Sequence, residues 1–291
     1  MSTIRNPTTF FSYIRRAPFG GRLTQGQIDG IHAILAESEK RRVSDEDTAY
    51  MLATAFHETG GKMQPIRENL NYTTAEKIRK TWPTRFKTNA SAEPFVRKAQ
   101  KLANYVYGGR LGNTAPNDGW IYRGDGLPQL TGKDNFEKFG VKPGMSLLTS
   151  VRVMFDGMIK GMFTGKKLSD YFNDGIDDPI GARAIVNGTD KAKLIAGYHK
   201  NFLDSIVAAN EFDQPADISP ALATADDVKP SASGSVKSLL GGVFGTAGLS
   251  AILGVDNPWG FGVAALLLTL GFGALFMFAS GRWSVNVIKG K

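Results

Sequence analysis

Residues 44–72 read SDEDTAYMLATAFHETGGKMQPIRENLNY, and this stretch decides the fold. Ser44 followed three residues later by Asp47 makes a helix start of capping-box type. Tyr50, Met51, Thr54 and Ala55 then recur on one helical face. The spacing predicts a helix that runs to His57-Glu58 and stops at Gly60-Gly61, because glycine accepts the left-handed backbone in which helices end. Glu58 therefore sits at the negative end of a helix dipole and beside core side chains, a setting that favours the protonated carboxyl. Glu68 lies ten residues on, in a segment rich in Asn and Tyr, and is expected to stay ionised there with Arg67 beside it.

The pattern outward from this stretch is helical. Thr24 and Gln27 form a capping box ahead of Ile28, Ile31, Ile34 and Leu35 on one face. Further helices are predicted over 95–107 and 151–163, with part of another over 182–186. A final helix over 191–209 carries Leu194, Ile195, Tyr198, Phe202 and Ile206 at helical spacing. Alternating strand patterns are almost absent, so the fold class is mainly α. Tyr105 and Tyr107, ahead of Gly108-Gly109, are read equally as cleft lining or as core.

A second informative stretch, residues 119–136, reads GWIYRGDGLPQLTGKDNF. Aromatic faces stack on sugar rings, amides and hydroxyls bond sugar hydroxyls, and glycines let the backbone approach a ligand. A plain turn or hairpin is the alternative reading. Two carboxyl groups in unlike environments suit glycoside hydrolysis, one protonating the leaving oxygen while the other activates water or attacks the sugar.

Taken in order, these segments resemble glycoside hydrolase family 19, which includes chitinases and phage endolysins with a lysozyme-like, α-rich fold. The resemblance rests on the helix ending in His57-Glu58-Thr59-Gly60-Gly61, on Glu68 before Asn69-Leu70-Asn71-Tyr72, and on Tyr122-Arg123-Gly124 leading to Gln129, Thr131 and Asn135. It covers residues 5–208. It implies that Glu58 is the general acid and Glu68 the general base of an inverting reaction. Gln129, Thr131 and Asn135 would bind substrate and help hold the attacking water, with Tyr122 on the same cleft-lining segment. Residues 184–188 resemble a late Asn-Gly motif, which makes Asn187 a substrate contact. His57, Arg67 and Arg183 would stand behind the carboxylates, Arg183 as their partner. Asp125 is a departure, since the family usually has Arg there; it is expected to reverse the charge beside the cleft.

The composition narrows the chemistry. There are no cysteines and three histidines, so neither a thiolate zinc site nor a His-rich metal site is expected, and no cofactor is implied. The net charge is +8. Basic pairs and triples at Arg15-Arg16, Lys40-Arg41-Arg42, Arg79-Lys80 and Arg97-Lys98 suit an anionic polymer. Bacterial peptidoglycan fits better than neutral chitin, and no nucleic-acid-binding motif is present. The expected activity is hydrolysis of the β-1,4 glycan of peptidoglycan, by an endolysin or a virion-associated lysozyme, during phage-driven lysis or entry. A chitinase, or a catalytically weak wall-binding virion protein on the same scaffold, is the alternative.

The last part of the chain has a different character. Residues 213–238 are rich in Pro, Ala, Ser and Asp and read as a linker after a catalytic domain spanning 1–212. Residues 259–280, WGFGVAALLLTLGFGALFMFAS, carry no charge and are long enough for a transmembrane helix. Residues 239–255 offer a second apolar run, which makes a helical hairpin the alternative to a single span. Residues 1–16 lack the apolar core of a signal peptide. The expected location is therefore a host inner membrane or a virion, held to the lipid bilayer by the 239–291 region, with other virion or lysis proteins as further partners.

Overall fold

The computed structural model describes residues 4–211. Ten helices and four two-residue strands follow in order: α1 (Pro7–Arg16), α2 (Gln25–Arg41), α3 (Asp45–Glu58), β1 (Ile66–Arg67), α4 (Ala75–Thr81), α5 (Asn89–Ala92), α6 (Ala99–Tyr107), α7 (Asp118–Ile121), β2 (Asp125–Gly126), α8 (Lys133–Lys138), α9 (Leu147–Lys160), β3 (Phe172–Asn173), β4 (Ile176–Asp177) and α10 (Ala192–Asn210). A 3-10 turn, Gly181–Ile185, precedes α10. Among the described residues the architecture is mainly α, and no helix there is long and apolar enough to cross a membrane. The linker 213–238, the span predicted over 259–280 and the run 239–255 lie outside the described residues.

Local chemistry accounts for the helix starts. Thr24 and Gln27 make the reciprocal capping box at α2. Ser44 accepts the Asp47 amide at 3.1 Å, but Asp47 does not return the bond, so the cap of α3 is one-way. Asn6 caps α1, where Pro7 suits the first helical position.

Helix α3 is the axis of the main core. Its residues Thr48 through Ala55 are all buried, with α2, α9 and α10 packed around it. Phe10, Ile14, Leu23, Ile31, Phe155, Phe202 and Ile206 fill the space between. Burying each such side chain is worth about 1.5–3 kcal/mol. A second, separate cluster forms within residues 70–106 from Leu70, Ile78, Phe86, Leu102 and Val106, and partly buried Tyr72, Trp82 and Phe95 close it. A third, smaller cluster gathers Leu130, Phe136, Phe139, Met145 and Val153.

Some predicted elements differ in extent. The helix expected over 95–107 is split: Glu93–Phe95 forms a 3-10 turn and α6 starts only at Ala99. Val96 is extended and Arg97 adopts a left-handed conformation, which together break the helix between them. The piece expected over 182–186 is the 3-10 turn rather than α-helix.

Candidate active site

The turn after α3 shows why Thr-Gly-Gly follows Glu58. Gly60 (φ 58°) and Gly61 (φ 79°) both take the left-handed backbone that glycine adopts without strain. Thr59 is buried, and its hydroxyl donates to the Ala55 carbonyl at 2.7 Å and accepts the Met63 amide at 2.9 Å. Gln27 on α2 donates to the Gly61 carbonyl at 2.8 Å. Gly30 gives the returning loop room, since a Cβ there would lie 1.7 Å from the Met63 carbonyl oxygen. Glu58 is thus presented on a turn fixed from both sides.

Glu58 has a single strong partner. Arg183, 4% exposed, lies with Nη1 2.6 Å from Glu58 Oε1. Its Nε donates to the Asp190 carbonyl at 3.1 Å, so the guanidinium is held from two directions. His57, half-buried next to Glu58, is pushed below the usual imidazole range by burial, against the opposing pull of the Glu58 charge. Asn187 is exposed on the loop after the 3-10 turn, its amide donating to the Arg183 carbonyl at 3.0 Å.

Glu68 stands just beyond β1, which pairs antiparallel with β2, Ile66 opposite Gly126 and Arg67 opposite Asp125. Its amide donates to the Gly124 carbonyl at 2.8 Å. The Tyr107 hydroxyl, at the end of α6, lies 2.9 Å from both carboxylate oxygens and donates to them. The Gly124 amide adds a longer bond at 3.4 Å. Burial nevertheless raises the Glu68 carboxyl above the usual range, with Tyr107, Gly124 and the Arg123 charge pulling the other way. The expected polar, open surroundings of Glu68 are thus replaced by a largely buried setting. Arg67 does not attend it: its guanidinium donates to the Ile121 carbonyl at 2.6 Å, and its buried Nε has no partner. The cation near Glu68 is Arg123, stacked 3.5 Å over the Trp120 ring and donating to the Glu68 carbonyl at 3.1 Å.

The remaining predicted residues follow the same segment. Gln129, in a left-handed conformation, donates its amide to the Ile66 and Gly126 carbonyls at 2.9 and 2.8 Å, which ties the two strands together. Its Oε1 lies on the other side, against Gly124 beside Glu68, where a Cβ on Gly124 would meet it at 2.9 Å. Thr131 donates to the Gln129 carbonyl at 3.0 Å, and Asn135 donates to the Thr131 carbonyl at 2.7 Å. Tyr122 is half-buried against Phe136, ring centres 5.5 Å apart. Gln129, Thr131 and Asn135 are therefore joined in one chain of hydrogen bonds, and Glu68 and Gln129 both lie against Gly124. Glu58, His57 and Arg183 form a separate group, and no hydrogen bond or ion pair joins the two carboxyl groups among the described residues.

Asp125 departs from the sequence reading. It is 1% exposed, and its carboxylate accepts the Gly144 amide. It is a buried acceptor that anchors a loop, and its charge also acts on Arg123 beside Glu68. Tyr107 is the residue the sequence left undecided; no local spacing signals that a helix-ending tyrosine will reach a carboxylate 39 positions earlier. Trp120 and Arg123 carried a weak signal, an aromatic and a cation three apart inside the Gly-rich stretch. Among the described residues no group of three or more His, Asp and Glu is arranged to hold a metal ion.

No protein-family model matches the chain. A Haemophilus influenzae protein described as a glycosyl hydrolase family 19 domain-containing protein is 40% identical to it over 116 residues. The match takes in 38% of this chain and 57% of that relative, so the chain spans little more than half of the relative's length. The likeness is to the family whose motifs the sequence resembles.

Proposed function

We propose that the chain is a glycoside hydrolase that cleaves the β-1,4 glycan of bacterial peptidoglycan by two-carboxylate acid–base chemistry with inversion. One observation carries this reading: two carboxyl groups from motifs in family order, each anchored by its own partners and not bonded to the other. An inverting reaction needs a sugar and a water between the two carboxyl groups, and each carboxyl here is fixed by its own partner, Arg183 for Glu58 and Tyr107 for Glu68. The likeness to the Haemophilus influenzae protein supports the glycosidase class. On the resemblance, Glu58 protonates the leaving oxygen and Glu68 takes a proton from the attacking water, with Gln129 Oε1 near it as a second acceptor for that water. The positive charge of the chain favours peptidoglycan over chitin. The biological setting in this proposal is phage-driven lysis or entry, with residues 259–280 as a membrane anchor.

A second reading exchanges the two roles. Burial raises the Glu68 carboxyl, the direction that suits a group giving up a proton, whereas Glu58 is ion-paired to Arg183. Digestion of purified peptidoglycan by the full chain, beside Glu58→Gln and Glu68→Gln, tests both. New reducing ends from the wild type, lost in each variant, are expected, and the released fragments name the bond by mass. Azide replaces the activated water and restores turnover only to the variant lacking the base. A nitrophenyl glycoside, whose leaving group needs no proton, rescues only the variant lacking the acid. Azide rescue of Glu58→Gln would install the exchanged roles. Wall binding without new reducing ends would overturn the enzyme reading, and turnover confined to chitin oligomers would overturn the substrate.

A further inference from the structure

The charge of the chain is concentrated in one part of the fold. Residues 70–110 hold nine basic and two acidic residues, a net +7 of the +8 of the whole chain. The rest of residues 1–212 holds 21 basic against 20 acidic residues, a net +1. The charged segment is the one that builds the second hydrophobic cluster, so it is a body of its own with a polar exterior. Lys77, Arg85, Lys87, Arg97 and Lys98 are exposed there, and none of the five has an acidic partner among the described residues. The other basic triple is spent differently: Arg41 is paired to Glu37 at 2.6 Å and to Asp156 at 2.8 Å.

This body also borders the candidate active site. Tyr107, which holds Glu68, ends its last helix, and the Arg110 charge acts on the Tyr107 hydroxyl. It carries aromatic surface as well. Tyr105 is 46% exposed, with its ring 4.7 Å from Phe95, and Lys101 lies 5.1 Å from the centre of the Phe95 ring. Cations interleaved with aromatic faces suit a strand that is at once a sugar polymer and a polyanion.

We infer that the 70–110 body is the docking surface for a carboxylate-bearing glycan strand, and that it selects charged strands over neutral ones for the neighbouring carboxyl pair. This rests on the hydrolase reading for its link to catalysis, and on charge placement alone for binding. Unscreened, a surface of this kind raises association about 10–10³-fold, and salt removes the gain over a Debye length of about 8 Å at physiological ionic strength.

The test uses the full chain carrying Lys77→Glu, Arg85→Glu and Lys87→Glu together, with the three Gln replacements as a milder series. Co-sedimentation with peptidoglycan sacculi stripped of phosphate polymers by hydrofluoric acid is measured from 20 to 300 mM salt, and turnover of a neutral N-acetylglucosamine oligomer is measured in parallel. The expected result is a loss of sacculus affinity of about tenfold or more at low salt, a smaller loss in the Gln series, a flatter salt dependence and unchanged oligomer turnover. Sacculi whose carboxylates have been converted to methylamides should bind the wild type as poorly as native sacculi bind the Glu variant. Unchanged affinity in the Glu variant would overturn the inference, as would full wild-type binding to the amidated sacculi. Binding that needs the phosphate polymers, or tighter binding to duplex DNA than to sacculi, would overturn it as well. Charge-dependent binding without turnover of any glycan would leave the inference standing while the hydrolase reading fell.

Discussion

Arg183 Nη1 lies 2.6 Å from Glu58 Oε1, joining the end of α3 to a turn 125 residues later in the chain. Arg183 is buried and Glu58 partly buried, so removing one member costs about 1.5–3 kcal/mol, the worth of a hydrogen bond between charged groups. Arg183→Ala is expected to lower the unfolding free energy by about that amount and glycan turnover by about a hundredfold or more. Arg183→Lys keeps the charge but loses the second bond to the Asp190 carbonyl, so it should fall between the two. Denaturant unfolding of Arg183→Ala, Glu58→Gln and the double variant measures the coupling. An additive result would show that the pair contributes nothing specific.

Tyr107 offers its hydroxyl to both oxygens of Glu68 and lowers its affinity for a proton, against the burial that raises it. Tyr107→Phe removes that bond and little volume. The Glu68 carboxyl then moves further up, so a reaction that needs it ionised loses its acid limb at higher pH than the wild type does. A reaction that needs it protonated keeps activity to higher pH instead. The hydrogen bond to a charged group is worth about 1.5–3 kcal/mol, or roughly tenfold to a hundredfold in rate at the pH where the limb falls. The pH profile of kcat/KM for wild type and Tyr107→Phe reads the sign. An unchanged profile would place Glu68 outside the chemistry.

Much of this site was legible because its signals are local. The cap at Ser44, the apolar face through Ala55 and the glycine stop at Gly60-Gly61 together put Glu58 at a helix end, which is where it is found. What was not legible depends on long-range pairing. Nothing near Glu68 in the chain announces Tyr107, and nothing near Asp125 announces the Gly144 amide. The strand pairing of Arg67 with Asp125 carries the Arg67 side chain to the Ile121 carbonyl, so a neighbour in sequence is not the neighbour in space. The charges of Glu68 and Asp125 lie on or beside short strands that no alternating pattern announces, so their surroundings were misread, whereas Arg183 meets Glu58 as expected.

Asp125 gives a prediction opposite to its sequence reading. As a buried acceptor for the Gly144 amide it should matter for stability and not for the pH dependence of turnover. Asp125→Asn keeps an acceptor in place and should cost little. Asp125→Ala strands a buried donor and should cost about 1–3 kcal/mol. Asp125→Arg, which restores the residue type usual in the family, has no room and should destabilise more than either. Thermal unfolding ranks the three, and a gain of turnover in Asp125→Arg would show that the position faces substrate after all.

His199 lies at the far end of α3 from Glu58, 3% exposed, with Nε2 2.9 Å from Glu46 Oε1 but off the line of a hydrogen bond. Burial pushes its imidazole below the usual range, against a hydrogen bond to the Glu46 backbone and the charges of Asp177 and Asp204. Glu46 is raised by burial and by the charges of Asp177, Asp47 and Asp45. The sign follows from linkage. The unfolded chain takes up the His199 proton at a higher pH than the folded chain does, so this contribution to stability is lost as pH falls through about 6.5. Glu46 acts in the opposite sense at the other edge, and its contribution is lost as pH rises from the ordinary carboxyl range toward its raised value. His199→Phe keeps the ring packing against Tyr50 and Phe172, whose ring centres lie 5.6 and 5.4 Å away, and removes the imidazole. The variant should lose the fall in unfolding free energy just below pH 6.5 while keeping the wild-type trend above it. Urea unfolding across pH 5 to 8 measures both curves, and an unaltered slope in the variant would show that His199 does not titrate with folding.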